Sequence, residues 1–388
     1  MTTATASFPS IQRPLLFAAI AVATGLFIHL AGIGFKLPAL FAVGLGMGVA
    51  LYHAAFGFTG AYRRLFTEKD ISGVTAQLIM LAAAMLLFAP ILAQGQVFGQ
   101  GVVGAVAPVS ISMAFGAFMF GIGMQLGGGC GSGTLFTVGS GNLRMVLTLA
   151  FFCIGGFWGS LDLEWWSGLP GIGAVSLGQN FGWSAAIALQ LAVLAAIYAG
   201  LHRLGGRNMR SLWWDGGFSP ERLLRGPWPL LLSAGLLALF NWATLLIAGH
   251  PWSITWGFTL WGAKAAAVLG WDPATSGFWA GGFQARALGQ PILADVTSVM
   301  NIGIVIGAFA AASLAGKVAP TVRIPVPSML AAVIGGILLG YGARLAYGCN
   351  IGAMFSGIAS TSLHGWAWLV FGIAGNFVGV RLRPLFKL

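Results

Sequence analysis

Charge is scarce in this chain. Only 7% of the 388 residues are charged, and only 8 of them are acidic. With 58% hydrophobic residues and a mean hydropathy of +0.89, that scarcity excludes a soluble fold, which needs a polar surface. Cysteine is scarcer still, at 3 residues, with no C-x-x-C pair. A disulfide framework is therefore excluded. The 5 histidines (His29, His53, His202, His250 and His364) are scattered. None has a ligand-spaced neighbour, so neither a metal site nor a cofactor is expected. Nucleotide loops are missing too, which argues against a motor-driven pump.

The charge that is present is lopsided, with 19 Lys and Arg against 8 Asp and Glu and a net charge of +11. Nucleic-acid binding would need a concentrated basic patch in polar surroundings. Here the cations sit in short loops between apolar runs and read as topology signals under the positive-inside rule. A secondary effect is attraction of anions.

What is abundant is apolar sequence in runs of ~20 residues, the length that crosses a hydrocarbon core. In lipid such runs must be helices, because every backbone group needs an internal partner. The runs do not alternate, which argues against a β-barrel. Expected spans are 15–35, 38–60, 73–93, 108–126, 145–161, 183–203, 228–249, 254–269, 296–316, 328–346 and 365–380. Some are too short or too glycine-rich to cross fully, so roughly nine crossings plus half-helices are expected. The first run reads as a membrane helix rather than a cleaved leader, because no small-residue cleavage pattern follows it. Asn142-Leu143-Arg144 reads as a loop leading into a helix.

Two copies of one cysteine-centred motif stand out. GIGMQLGGGCGSGTLF runs from Gly121 to Phe136, and GYGARLAYGCNIGAMF from Gly340 to Phe355. At the constant offset, 349 − 130 = 219, Gly121, Gly123, Leu126, Gly129, Cys130, Gly133 and Phe136 face Gly340, Gly342, Leu345, Gly348, Cys349, Gly352 and Phe355. Weaker matches at the offset 282 − 57 = 225 pair Gly57-Phe58 with Gly282-Phe283 and Asp70–Val74 with Asp295–Val299. Placing Arg13, Arg63, Arg64, Lys69, Arg203, Arg207, Arg210, Arg222, Arg225, Lys317, Arg323, Arg381, Arg383 and Lys387 together in the cytoplasm gives the two copies opposite orientations. Both termini are then cytoplasmic. The expected fold is an all-α integral membrane protein with an inverted-topology repeat and broken or re-entrant half-helices. The expected parts of this single transport domain (1–388) are an added helix at 15–35, repeats at 38–161 and 270–380, and linking helices at 183–250.

Glycines crowd the first cysteine, from Gly127 to Gly133. Each interior glycine costs a helix ~1 kcal/mol relative to alanine, so a break is expected at the cysteine, within Gly129-Cys130-Gly131, with a half-helix starting near Ser132 to Leu135. The second break is expected at Gly348-Cys349-Asn350, with a half-helix starting near Ile351 to Ala353. Amides at such half-helix starts favour an anion. A neutral thiol there can pass a soft sulphur solute without holding it hard, whereas a thiolate would repel an anion. Gln125 and Arg344 share one repeat column inside apolar runs, and Arg344 is a candidate for attracting the anion or bracing the break. Lys264, Arg286 and Asp295 lie nearer span ends and read as structural. Cys153, with Gly372 in its column, reads as packing.

The segments GGGCGSGTLFTVGSGN and GYGARLAYGCNIGAMFSGIASTSLHGWAWLVFGIAGNFVG resemble the YeeE/YedE family of sulphur transport proteins. The resemblance covers most of residues 38–380. It implies a prokaryotic inner-membrane protein that takes up thiosulfate, relayed by Cys130 and Cys349 through S–H···S hydrogen bonds. It also implies a TusA-like sulphur carrier as a cytoplasmic partner. Where the family often carries a further cysteine, this chain has Gly57. That departure leaves related sulphur or selenium species open as cargo. The alternative class is a membrane sulfurtransferase using a persulfide on one of the two cysteines, which would need an accessible, low-pKa thiol.

Overall fold

A computed structural model of the chain describes residues 9–215, 217–320 and 323–388. Helices dominate it. The first group is α1 (Arg13–Ala31), α2 (Lys36–His53), α3 (Phe58–Glu68), α4 (Ser72–Gln94), α5 (Ile111–Gly127), α6 (Gly131–Gly139) and α7 (Leu143–Leu161). Two short helices follow, α8 (Leu163–Ser167) and α9 (Leu177–Phe181). The second group is α10 (Trp183–Arg203), α11 (Pro220–Arg225), α12 (Leu230–Ala248), α13 (Thr255–Val268), α14 (Gly282–Gly289), α15 (Val296–Leu314), α16 (Val326–Leu345), α17 (Ser356–Ala359) and α18 (Leu363–Leu382). A π-helical turn, Asn350–Phe355, precedes α17. Two small two-stranded ribbons occupy connections, Gln96–Val97 with Gln100–Gly101 and Pro108–Ser110 with Gly171–Ala174.

Among the described residues, 10 helical stretches are long and apolar enough to cross a membrane. The expected span at 254–269 is not one of them. Its helix, α13, has 14 residues, or ~21 Å at 1.5 Å per residue, short of a ~30 Å core. Polar caps start several of the long helices. Ser110 accepts from the Met113 amide at 3.1 Å, Asn142 from Met145 at 3.2 Å, and Asp295 from Ser298 at 2.7 Å. Each satisfies an amide that the helix leaves unpaired. Asn142 and Asp295 thus have the local roles their sequence suggested.

Glycine faces let the central helices touch backbone to backbone, a usual route to helix association in lipid. A Cβ added at Gly44 of α2 would lie 2.6 Å from the Met300 carbonyl of α15, and one at Gly303 would lie 2.8 Å from that of Phe41. A Cβ at Gly116 of α5 would lie 2.7 Å from the Gly342 carbonyl of α16.

The packing is paired. α1 and α2 lie on α15, while α10 and α12 lie on α4. α7 packs on α16 and α18 on α5. α13 packs on α7 and α3 on α18, and α5 meets α16 at the centre. The cationic ends collect on one face. Gln12 bonds Val318 at 2.9 Å, Arg225 reaches the Pro9 carbonyl at 3.4 Å, and Asp70 pairs its backbone with that of Arg207 and its carboxylate with the Arg64 guanidinium at 3.3 Å. On the other face Lys36 donates to the Ala248 carbonyl at 3.0 Å, and the Val103 amide to Gly249 at 2.9 Å.

Candidate functional site

Both cysteines stand at a helix break and cap the short helix that follows. Cys130 has φ −84° and ψ −165° before α6, and Cys349 has φ −101° and ψ −167° before the π-helical turn. The Cys130 carbonyl accepts from the Thr134 amide at 2.9 Å, and the Cys349 carbonyl from Ala353 at 2.9 Å. The glycine before each cysteine is a steric requirement. A Cβ at Gly129 would lie 2.9 Å from the Thr134 amide nitrogen, and one at Gly348 would lie 2.9 Å from that of Ala353. Gly348 also has φ +146°, a conformation that L side chains rarely adopt. The short helices begin at Gly131 and Asn350, slightly earlier than expected, because each cysteine takes the capping position itself.

The breaks meet. A Cβ at Gly131 would lie 3.1 Å from the Cys349 sulphur and 3.2 Å from Ile254. The Cys349 thiol therefore sits over Gly131, beside Cys130. Both cysteines are fully buried. The Cys130 Sγ lies 3.4 Å from the Ser132 hydroxyl, and the Cys349 Sγ accepts from the Ile351 amide at 3.4 Å. Asn350 is also fully buried, beside Tyr62, and neither its amide oxygen nor its nitrogen makes a hydrogen bond of normal geometry. A buried, unpaired amide is costly, at about 1–3 kcal/mol per group, and is available to a polar guest. Cys130, Cys349, Gly129, Gly131, Gly348, Asn350 and Ser132 are thus brought to one place.

Arg344 and Gln125 part company. Arg344 lines a cavity of ≈ 320 Å³ with Ser253, Trp256, Phe283, Tyr347 and Gly348. Its guanidinium lies 5.1 Å from the Phe278 ring centre, and its Nε has no partner. A larger cavity, ≈ 480 Å³, shares Ser253, Trp256 and Phe283 and adds Lys36, His250, Arg286 and Asp295. Arg286 therefore has a place in a cavity wall, beyond the structural role its position suggested. Lys264 is structural, donating to the Leu288 carbonyl at 2.6 Å. Gln125 instead ties α5 to its neighbours. Its side-chain amide donates to the Thr59 carbonyl at 3.1 Å and to Asn376 at 2.7 Å, and its backbone carbonyl accepts from Arg383 at 2.8 Å. Cys153 is half-buried, and its backbone carbonyl packs against Gly262.

Several residues escape a sequence reading. Arg144 holds the first break, donating to the carbonyls of Gly127 at 2.8 Å and Leu126 at 2.6 Å. This is where a helix C-terminus wants a cation. At the second break, Trp368 donates to the Gly348 carbonyl at 3.2 Å, and His364 bonds the Ala346 carbonyl at 3.0 Å. Tyr62, buried near Cys130 and Asn350, points its hydroxyl at the Met354 sulphur at 3.6 Å. Behind it Phe58 and Phe56 are buried, with their rings edge-on at 6.3 Å. Asn301 bonds the Ile254 carbonyl at 3.0 Å and leaves its own oxygen unpaired. Of these, only Arg144, a cation just after a glycine-rich break, carried a usable sequence signal.

Comparison with known proteins agrees with this architecture. Residues 53–378 match the family described as "Sulphur transport". A probable transporter YedE from Escherichia coli (strain K12) is 35% identical over 167 residues, covering 42% of this chain and 39% of that protein. The match thus spans well under half the length of the curated YedE relative. A thiosulfate transporter TsuA from Spirochaeta thermophila is 26% identical over 342 residues, covering 86% of this chain and 95% of that protein. A TsuA from Escherichia coli (strain K12) is 23% identical over 362 residues, covering 87% of this chain and 93% of that protein. With most of its length matched and its helices arranged for a membrane, the chain belongs to the sulphur transport family.

Proposed function

We propose that the protein takes up thiosulfate, or a closely related sulphur anion, through a central path between Cys130 and Cys349. The observation that carries this reading is the meeting of two thiols at the starts of two short helices, with the Cys349 sulphur over Gly131. Helix starts offer unpaired N–H groups and positive dipole ends, which offset part of an anion's dehydration. A neutral S–H is a weak donor, so it passes a soft sulphur atom along rather than trapping it. The name of the TsuA relatives supports the cargo.

The two neighbouring cavities, one bearing Lys36 and Arg286 and the other Arg344, form the mouth of this path on the outer face. The opposite, cationic face is cytoplasmic, with both termini on that side, and the membrane is the prokaryotic inner membrane. A small TusA-like sulphur carrier is the partner expected there. The glycine-lined breaks and the paired packing support two inverted halves of five spans each. In this reading α1 and α2 correspond to α10 and α12, α3 to α13, α4 to α15, α5 to α16 and α7 to α18. The helix at 15–35 and those at 183–250 then open each half, rather than being an addition and a link. A sulfurtransferase is disfavoured by the complete burial of both thiols, because a persulfide-forming cysteine must be reached by its donor.

The test is uptake of labelled thiosulfate by cells expressing wild type, Cys130→Ser, Cys349→Ser and Cys153→Ala. Loss in the first two substitutions and retention in the third is expected. Equal uptake in all four would remove the cysteine path. Preferred uptake of selenite or sulphate would change the cargo and leave the path standing.

A further inference from the structure

We propose that a second cavity, on the cationic face, is a binding station for a small sulphur oxyanion leaving the path. The proposal rests on the transport reading above. The cavity has a volume of ≈ 500 Å³ and is lined by His53, Ala55, Arg210, Trp213, Trp214, Arg222 and Trp228, among others.

Its polar groups are unspent. His53 is only 5% exposed, and its Nδ1 has no partner. The Trp214 indole N–H also has none. A buried group of this kind is costly unless something pairs with it. Arg222 gives one nitrogen to the Asp215 carbonyl at 2.7 Å and keeps other donors of its fork. Arg210 also lines the cavity, its backbone held there by the bond from its amide to the Ser72 hydroxyl at 2.9 Å. Asp215 is the acidic residue in the lining, set against two arginines. A tilted ring contact holds the histidine in place, with His53 and Trp228 centroids 5.1 Å apart. Two guanidinium forks, an indole N–H and an imidazole around an apolar floor suit a compact oxyanion.

Position ties the cavity to the path. His53 ends α2, and the chain then runs through Gly57 into α3, which carries Phe58 and Tyr62 toward Cys130. On the opposite face His250 follows α12, and the chain runs through Ser253 into α13, beside the ≈ 480 Å³ cavity. α2 and α12 occupy matching places against α15 and α4. The two cavities thus flank the same joint in the two halves, one at each end of the path. The arginine and tryptophan cluster beside this joint supplies the receiving groups.

The site is separable from the path by binding. Labelled thiosulfate is titrated into the purified full-length chain carrying Cys130→Ser and Cys349→Ser, and then into the same chain with Arg210→Gln and Arg222→Gln added. Removing two charge-assisted partners is expected to weaken one class of sites about tenfold or more, while Lys317→Gln leaves the isotherm unchanged. His53→Gln is expected to weaken the same class less. An isotherm unchanged by the arginine substitutions overturns the proposal. Inorganic phosphate binding as tightly as thiosulfate overturns the assignment to a sulphur oxyanion. Failure of thiosulfate uptake by wild type, with arginine-dependent binding intact, would defeat the transport reading and leave this site in place.

Discussion

The two helix breaks share a backbone and differ in what surrounds it. Before each cysteine stands a glycine at which a Cβ would lie 2.9 Å from the amide nitrogen five residues on. Each cysteine caps the next helix with nearly the same angles. The linings diverge. The first break continues as Gly131-Ser132 into a regular α-helix, and its preceding carbonyls are held by Arg144. The second continues as Asn350-Ile351 into a π-helical turn, and its carbonyls are held by Trp368 and His364. The cation of the second half, Arg344, is instead free to face the cavity. Backbone geometry is thus the part the two halves hold in common, while charge is placed to suit each end of the path. A π-turn in this setting is a frequent companion of function.

The sharpest way to break the comparison is to fill the glycines. Gly348→Ala is expected to cost the most. It adds a clash at 2.9 Å to a left-handed φ of +146°, on the order of 2–5 kcal/mol together. Gly129→Ala carries the clash alone and is expected to cost about 1–3 kcal/mol. Thermal unfolding of the purified variants measures both. Equal, negligible shifts would show that the shared backbone is not a requirement.

Next come the two arginines. Arg144→Gln removes charged bonds to the Leu126 and Gly127 carbonyls and is expected to lower stability by about 2–3 kcal/mol. Arg344→Gln is expected to leave the unfolding midpoint nearly unchanged and to raise the KM for thiosulfate uptake about tenfold, the loss of one charge-assisted contact. Reversed outcomes would swap the bracing and the attracting roles.

A smaller effect is expected at Asp70, on the cationic face. Burial pushes its carboxyl up. The Ser72 hydroxyl and amide, the Met209 amide and the Arg64 guanidinium pull harder and hold it below the usual carboxylate range. A depressed folded pKa gives stability that is present above about pH 4, the unfolded value, and is lost as pH falls through the folded value. Wild type should therefore lose stability on acidification more steeply than Asp70→Asn, as read by unfolding midpoints between neutral and acidic pH. The smallest structural effect is expected from Gly57→Cys. Gly57 is extended, with φ −144°, and no atom lies within 4 Å of an added Cβ. The variant should fold normally, with a stability change within about 0.5 kcal/mol, and a shift in sulphur-anion preference would show that a thiol at this joint contributes to selection.

The sequence by itself determined the membrane, the helices and the two breaks. Those rest on local rules: apolar length, the helix cost of glycine, and a motif repeated at one offset. Arg344 was legible for the same reason, since a cation inside an apolar run is conspicuous. Gln125 was not legible, because the column it shares with Arg344 says nothing of its neighbours, and its amide is spent on Thr59 and Asn376. The short α13 shows a similar limit, because composition does not tell a full crossing from a packed half-helix. Only tertiary structure could bring Cys349 over Gly131, leave Asn350 unpaired, and set Arg344 and Arg286 at a cavity wall. These depend on contacts between segments far apart in the chain, decided by which glycine faces let helices close together.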